Sequence, residues 1–187
     1  MTTKVSPVMG GGAWKLLSTQ SASASSTLDW TSAHITSTYD TYAIVCTAVI
    51  VSLDGSQLQF RVSNDGGATY EADASDYAYT LSGIDDAGSA KNLISTSAAR
   101  MVFCNGHDTA VGGRAINGVV YMHHPSNSAL YTHFSGVVQY SENANPGLAT
   151  LTVSGEYNTA ETVNGLQVMA SSNEITSGKF SLYGLAI

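Results

Sequence analysis

Along most of this chain apolar and polar residues alternate one by one, and the alternating runs are closed by Gly, Asn, Asp, Ser or Pro. The 3.6-residue apolar repeat that a helix needs to bury one face is nearly absent. Successive side chains of a strand point to opposite faces, so a one-by-one alternation describes a half-buried strand. In Gln57–Ser63, Leu58, Phe60 and Val62 point one way, and Gln57, Gln59 and Arg61 the other. Asp76–Ser82 repeats the pattern with Tyr77, Tyr79 and Leu81, and Ser26–Trp30 does so with Leu28 and Trp30.

Thr41–Leu53 departs from this rule, because Ile44, Val45, Val49, Ile50 and Val51 make it almost continuously apolar. Its β-branched content predicts a long central strand covered on both faces, one by the opposite sheet and the other by a neighbouring subunit. Further strands are expected at Ala13–Ser18, Ala98–Cys104, Ala115–His124, Tyr131–Ser141, Leu148–Tyr157, Gly165–Ala170 and Lys179–Ala186. Turn signals separate them, among them Asp54-Gly55, Asn64-Asp65-Gly66-Gly67, Asn105-Gly106, Gly112-Gly113, His124-Pro125-Ser126-Asn127 and Asn145-Pro146-Gly147. Residues 19–27 read as a polar connector. The pattern predicts an all-β, single-domain β-sandwich of jelly-roll type over residues 13–187. Ahead of it, residues 1–12 are expected to form an extended N-terminal arm, hinged at Gly10-Gly11-Gly12, with Val5, Pro7 and Val8 as anchoring contacts.

A chain of 187 residues is long enough to bury a sizeable core without disulfides or metal. Cys46 and Cys104 lie inside apolar runs and read as small buried hydrophobes. Only 11% of residues are charged, against about 25% in ordinary domains, so the surface must be built from hydroxyls, amides and glycines. Seven basic against 14 acidic residues, net −7, argue against a nucleic acid partner, which needs clustered Lys and Arg. No apolar run approaches the ~18 residues of a spanning helix, and the start lacks the apolar core of a secretory leader. No membrane partner is expected.

The motifs of catalysis are missing. There is no Gly-x-Ser-x-Gly elbow, no phosphate-cradling glycine loop, and no His-Glu-x-x-His or Cys-x-x-Cys pair. The chain is therefore expected to be no enzyme, with no catalytic residues and no cofactor. His123, His124 and His133 flank a hairpin, and a register that pairs 123 with 133 would set two imidazoles side by side. No third metal ligand is evident nearby, so these histidines are read as surface or interface groups. Asp65, Glu71, Asp73 and Asp76 crowd one segment, which fits either a tight turn or a calcium loop. Most of the ten tyrosines fall in phase with apolar neighbours. Tyr70 and Tyr131, beside loops, are better placed for a contact surface, together with His123 and His133.

Two segments add a resemblance. Thr38-Tyr39-Asp40-Thr41-Tyr42, the Ile44–Val51 run, Leu58–Val62 and Ser63-Asn64-Asp65-Gly66-Gly67 with Tyr70 resemble a pattern in small bacteriophage virion proteins. Ser177-Gly178-Lys179-Phe180-Ser181-Leu182-Tyr183-Gly184 is similar to the closing Ser-Gly-x-Ile-x-Leu-Tyr-Gly strand of that group, and Ala13-Trp14-Lys15-Leu16 is similar to its opening. Where the group has Ser-Ser-Gly-Asn-Ile, this chain has Ser171-Ser172-Asn173-Glu174-Ile175. The resemblance covers both ends and much of the first half. It implies a jelly-roll-like, commonly trimeric component of a phage particle, decorating or cementing the capsid or forming a tail-associated knob. The implied partners are other copies of the chain and the major capsid or tail proteins. The alternative is a host glycan- or receptor-binding module of a phage tail fibre or tail tip, acting through loop aromatics.

Overall fold

The computed structural model describes residues 14–109, 114–142 and 147–185. The anchoring contacts expected of Val5, Pro7 and Val8, and the turns expected at Gly112-Gly113 and Asn145-Pro146, lie outside them. Twelve strands are present: β1 (Trp14–Ser25), β2 (Thr27–Trp30), β3 (Thr41–Val51), β4 (Leu58–Ser63), β5 (Tyr77–Asp85), β6 (Ala90–Ala98), β7 (Met101–Cys104), β8 (Ile116–His123), β9 (His133–Glu142), β10 (Gly147–Tyr157), β11 (Gly165–Ala170) and β12 (Ile175–Leu185). They form an eight-stranded antiparallel sheet in the order β1-β12-β3-β8-β9-β10-β5-β6 and a four-stranded one in the order β2-β11-β4-β7.

The chain is a single-domain β-sandwich, and its topology is specific. Setting aside β5, β6, β9 and β10, and numbering the other eight strands afresh in chain order, gives sheets 1-8-3-6 and 2-7-4-5. That is the order two interleaved Greek keys produce, the jelly roll. The hairpin β5–β6 and the pair β9–β10 are insertions that widen one sheet beyond the other.

The inward residues fill the space between the sheets. Phe60 on β4 meets Phe103 on β7 at 5.1 Å and Phe134 on β9 at 4.7 Å between ring centroids, all three buried. Tyr77 on β5 is fully buried, and its hydroxyl ties the sheets: it accepts the Val62 N–H at 2.8 Å and donates to the Glu71 carbonyl at 3.1 Å. A buried hydroxyl satisfied in this way avoids the cost of an orphaned polar group. Cys46 and Cys104 are free and buried, as their apolar settings imply, and burial pushes the Cys46 thiol up to about 12.

Two expectations are corrected. Residues 19–25 are not a connector but the second half of β1, paired with β12 as far as Ser25. This strand sits at the sheet edge and buries only Ala22 fully. Backbone ladder bonds and contacts such as Thr19 Oγ1 to Ser181 Oγ at 3.1 Å hold it, so it needs no apolar stripe. β6, the opposite edge, is a strand in a stretch where none was expected, for the same reason. The Asn173 position, glycine in the resembling group, has φ +59°. Asn is among the few residues that adopt this left-handed geometry readily, so the turn into β12 forms without glycine there.

Candidate functional site

The loop after β4 was a candidate on account of its carboxylates and Tyr70. Asp65 Oδ1 accepts the Ser63 hydroxyl and the N–H groups of Ala68 and Thr69, while Oδ2 accepts the Thr69 hydroxyl at 2.6 Å. These donors, chiefly Thr69, hold the Asp65 carboxyl far below its usual range. Asp76 Oδ2 likewise accepts the Asp73 N–H at 2.6 Å. Burial, reinforced by Glu161, Asp76, Asp65 and Asp73 around it, raises the Glu71 carboxyl. The segment is thus a self-capped turn in which Asp65 serves its own backbone. Among the described residues no three His, Cys, Asp or Glu side chains are grouped to hold a metal ion. Tyr70 is half-buried, with its hydroxyl against the Gly67 backbone, and burial followed by the Asp29 charge raises it to about 12. Tyr131 stands exposed in the loop before β9.

The histidines are brought together. His123 on β8 pairs in register with His133 on β9, and His133 with Glu156 on β10. Three side chains therefore form a row across adjacent strands, on the face turned away from the core. His123 Nε2 lies 2.8 Å from Ser135 Oγ, its Nδ1 lies 3.4 Å from Thr41 Oγ1, and His133 Nε2 is 3.2 Å from Glu156 Oε2. Burial, then the neighbouring His124 and His133, keeps His123 below its ordinary range. The Ser135–His123 distance is that of a nucleophile and its base. However, His123, the last residue of β8, and Ser135, the third of β9, are each paired with strands on both sides, and such ladders consume the backbone N–H groups an oxyanion would need. Beside the row, Ala78, Thr80, Ser154, His133 and Glu156 line an open groove of about 270 Å³.

An aromatic patch on the same outward face escaped the sequence reading. Trp14 on β1 reaches Tyr183 on β12 at 5.5 Å and Tyr121 on β8 at 5.8 Å, and Tyr121 stacks on His123 at 6.1 Å. Between those strands lies Ala43 of β3, paired with Tyr183 on one side and Tyr121 on the other, and fully buried. The second face of β3 is thus covered at Ala43 by rings of its own chain, while Val45 stays half-buried. Next to the rings, Val119 pairs with Val45 and Val137. Leu16 is 54% exposed, Val137 49% and Trp14 42%. The signal was present in the phase of β8: Val120 and Met122 point inward, so Val119 and Tyr121 must point out.

Compared with protein-family models, curated proteins and solved structures, the chain has no match.

Proposed function

We propose that this chain is a non-enzymatic structural protein of a bacteriophage particle, displayed on the virion as a trimeric capsid decoration or cement protein or as a tail-associated knob. The observation that carries this reading is the strand order 1-8-3-6 over 2-7-4-5, an architecture used by viral capsid and lectin domains. The resemblance of the opening, the Leu58–Tyr70 segment and the closing strand to small virion proteins points the same way. A chain with only 11% charged residues also suits contact with capsid or tail proteins, since few charges would have to be desolvated. Antibodies raised against the purified chain test the reading by immunogold microscopy of purified phage particles. Regular labelling of capsid or tail is expected; particles free of the protein by labelling and by mass spectrometry contradict it.

A second reading, recognition of a host surface glycan, is favoured by the exposed Tyr131 and the hydroxyl-lined groove at His133 and Glu156. A glycan array separates the two: signal lost on Tyr131→Ala supports the glycan reading, and a silent array removes it.

A further inference from the structure

We propose that Asn105 is a self-modifying site: the Gly106 nitrogen displaces its side-chain amide, Gln57 stabilises the amide oxygen during the attack, and aspartate or isoaspartate results. The reaction needs no partner and holds whether or not the chain is part of a virion.

Three Asn-Gly pairs occur in the chain: Asn105-Gly106, Asn117-Gly118 and Asn164-Gly165. Asparagine is a thermolabile residue, and a following glycine has no Cβ to hinder its own nitrogen. The motif alone ranks the three pairs equally. The fold separates them.

Asn117-Gly118 lies inside β8, where Gly118 pairs with Cys46 on one side and Val138 on the other. The Asn117 amide is held at both ends, Oδ1 accepting the Ala48 N–H at 2.8 Å and Nδ2 donating to the Ala115 carbonyl at 3.2 Å. Gly165 opens β11 opposite Ser63 and is buried, while Asn164 Oδ1 accepts the Gly66 N–H at 2.7 Å. A Cβ on Gly118 would lie 2.5 Å from the Val137 carbonyl oxygen, and one on Gly165 2.8 Å from Ser63 Cβ. Neither pair has room to close a ring until its strand opens.

Asn105-Gly106 follows β7 and belongs to no strand. Gly106 has φ +74°, both residues are half-buried, and a Cβ at Gly106 would come no nearer than 3.7 Å, to the Gly55 carbonyl oxygen. Among the described residues no hydrogen bond engages the Gly106 N–H. The acceptor side is prepared as well. Gln57 Nε2 donates to Asn105 Oδ1 at 3.1 Å, and the buried Gln59 orients Gln57 by donating from Nε2 to its Oε1 at 2.7 Å. A donor already placed on the amide oxygen stabilises the negative charge that develops there under attack.

The step balances without an oxidant or reductant. Base from solvent removes the Gly106 N–H proton as the nitrogen bonds Asn105 Cγ, the Cγ–Nδ2 bond breaks, and Nδ2 takes a proton from water and leaves as ammonia. Water then opens the five-membered imide. Opening at the side-chain carbonyl gives aspartate; opening at the main-chain carbonyl gives isoaspartate, whose backbone is one carbon longer. The change falls beside the bonds that tie this loop to the turn after β3, His107 N–H to the Ser56 carbonyl at 3.0 Å and Gly55 N–H to the His107 carbonyl at 2.9 Å.

The test ages the full-length protein at mildly alkaline pH and maps its peptides by mass spectrometry with fragmentation that separates aspartate from isoaspartate. In the native protein Asn105 is expected to convert at least about tenfold faster than Asn117 or Asn164, which must wait for local opening. In denaturant the three should convert at similar rates. Gln57→Glu keeps the acceptor that Gln59 uses and removes the donor to Asn105. It should slow Asn105 by about threefold or more, a smaller factor than an enclosed oxyanion site gives. Native Asn105 converting no faster than the other two overturns the proposal, as does the same ranking in denaturant or a Gln57→Glu rate at or above that of the wild type.

Discussion

The two faces of the eight-stranded sheet are made by the same strands and obey different rules. On the inner face every outcome follows from burial: Ile44, Leu81, Val120, Phe134, Val138, Leu151 and Leu182 are all excluded from water. Each such side chain contributes about 1.5–3 kcal/mol relative to exposure. On the outer face Val137, on a central strand, and Leu16 and Trp14, on the edge strand β1, remain about half exposed. The comparison teaches that strand propensity and core burial can be satisfied by one face alone. The outer face is then available for contacts that the protomer does not need in order to fold.

Substitutions should split along that line. Phe134→Ala removes an inward ring that packs on Phe60, and it should cost about 3–5 kcal/mol in chemical denaturation. A loss near 1 kcal/mol would mean that the inner face is not the main source of stability. Trp14→Ala removes two ring contacts at a sheet edge; at about 0.5–1.5 kcal/mol per contact, it should cost about 1–3 kcal/mol. A cost equal to that of Phe134→Ala would make the outer patch part of the folding core.

Acid should act through His107, in the loop after β7, and His123, on the outer face. His107 is fully buried, and burial depresses it against the opposing pull of the Ser141 backbone, as burial and two imidazole neighbours depress His123. A histidine whose folded pKa lies below its unfolded value binds its proton more readily when unfolded. Its effect is therefore absent above pH ~6.5, and stability falls as pH drops below that value toward the folded pKa. Calorimetry at pH 7.5 and 5.5 should show a fall in Tm of about 2–4 °C. His107→Leu should flatten that slope, because it removes a ring that binds its proton more readily in the unfolded chain. A slope that survives both His107→Leu and His123→Gln would assign the acid response elsewhere. The smallest effect belongs to Val137→Thr, which should shift protomer stability by less than about 0.5 kcal/mol.

How much was legible in the sequence follows from the same contrast. Leu58, Phe60 and Val62 announced their strand and its inward face through the alternation of the sequence, although Gln59 and Ser63 on the other face are buried as well. So did Leu28, Trp30, Tyr77 and Leu81. The second half of β1 and all of β6 were hidden because edge strands are held by ladder bonds, which any sequence with free amides can make. His123 opposite His133 could be anticipated from the hairpin, but Glu156 could not, since only the β9–β10 register brings it alongside. The Trp14–Tyr121 contact joins strands separated by β12 and β3. No local pattern encodes a meeting that depends on strand order.

Trp14 offers the most direct measurement of whether the outer face lies open to water while the interior between the sheets is closed. Trp30 is the other tryptophan; it is fully buried with its indole N–H unpaired, so Trp30→Phe leaves no orphaned partner and makes Trp14 the sole reporter. Iodide should quench Trp14 strongly in Trp30→Phe and leave Trp30 nearly unquenched in Trp14→Phe. Equal quenching in the two variants would contradict the account, because the outer face and the interior would then not differ in their access to solvent.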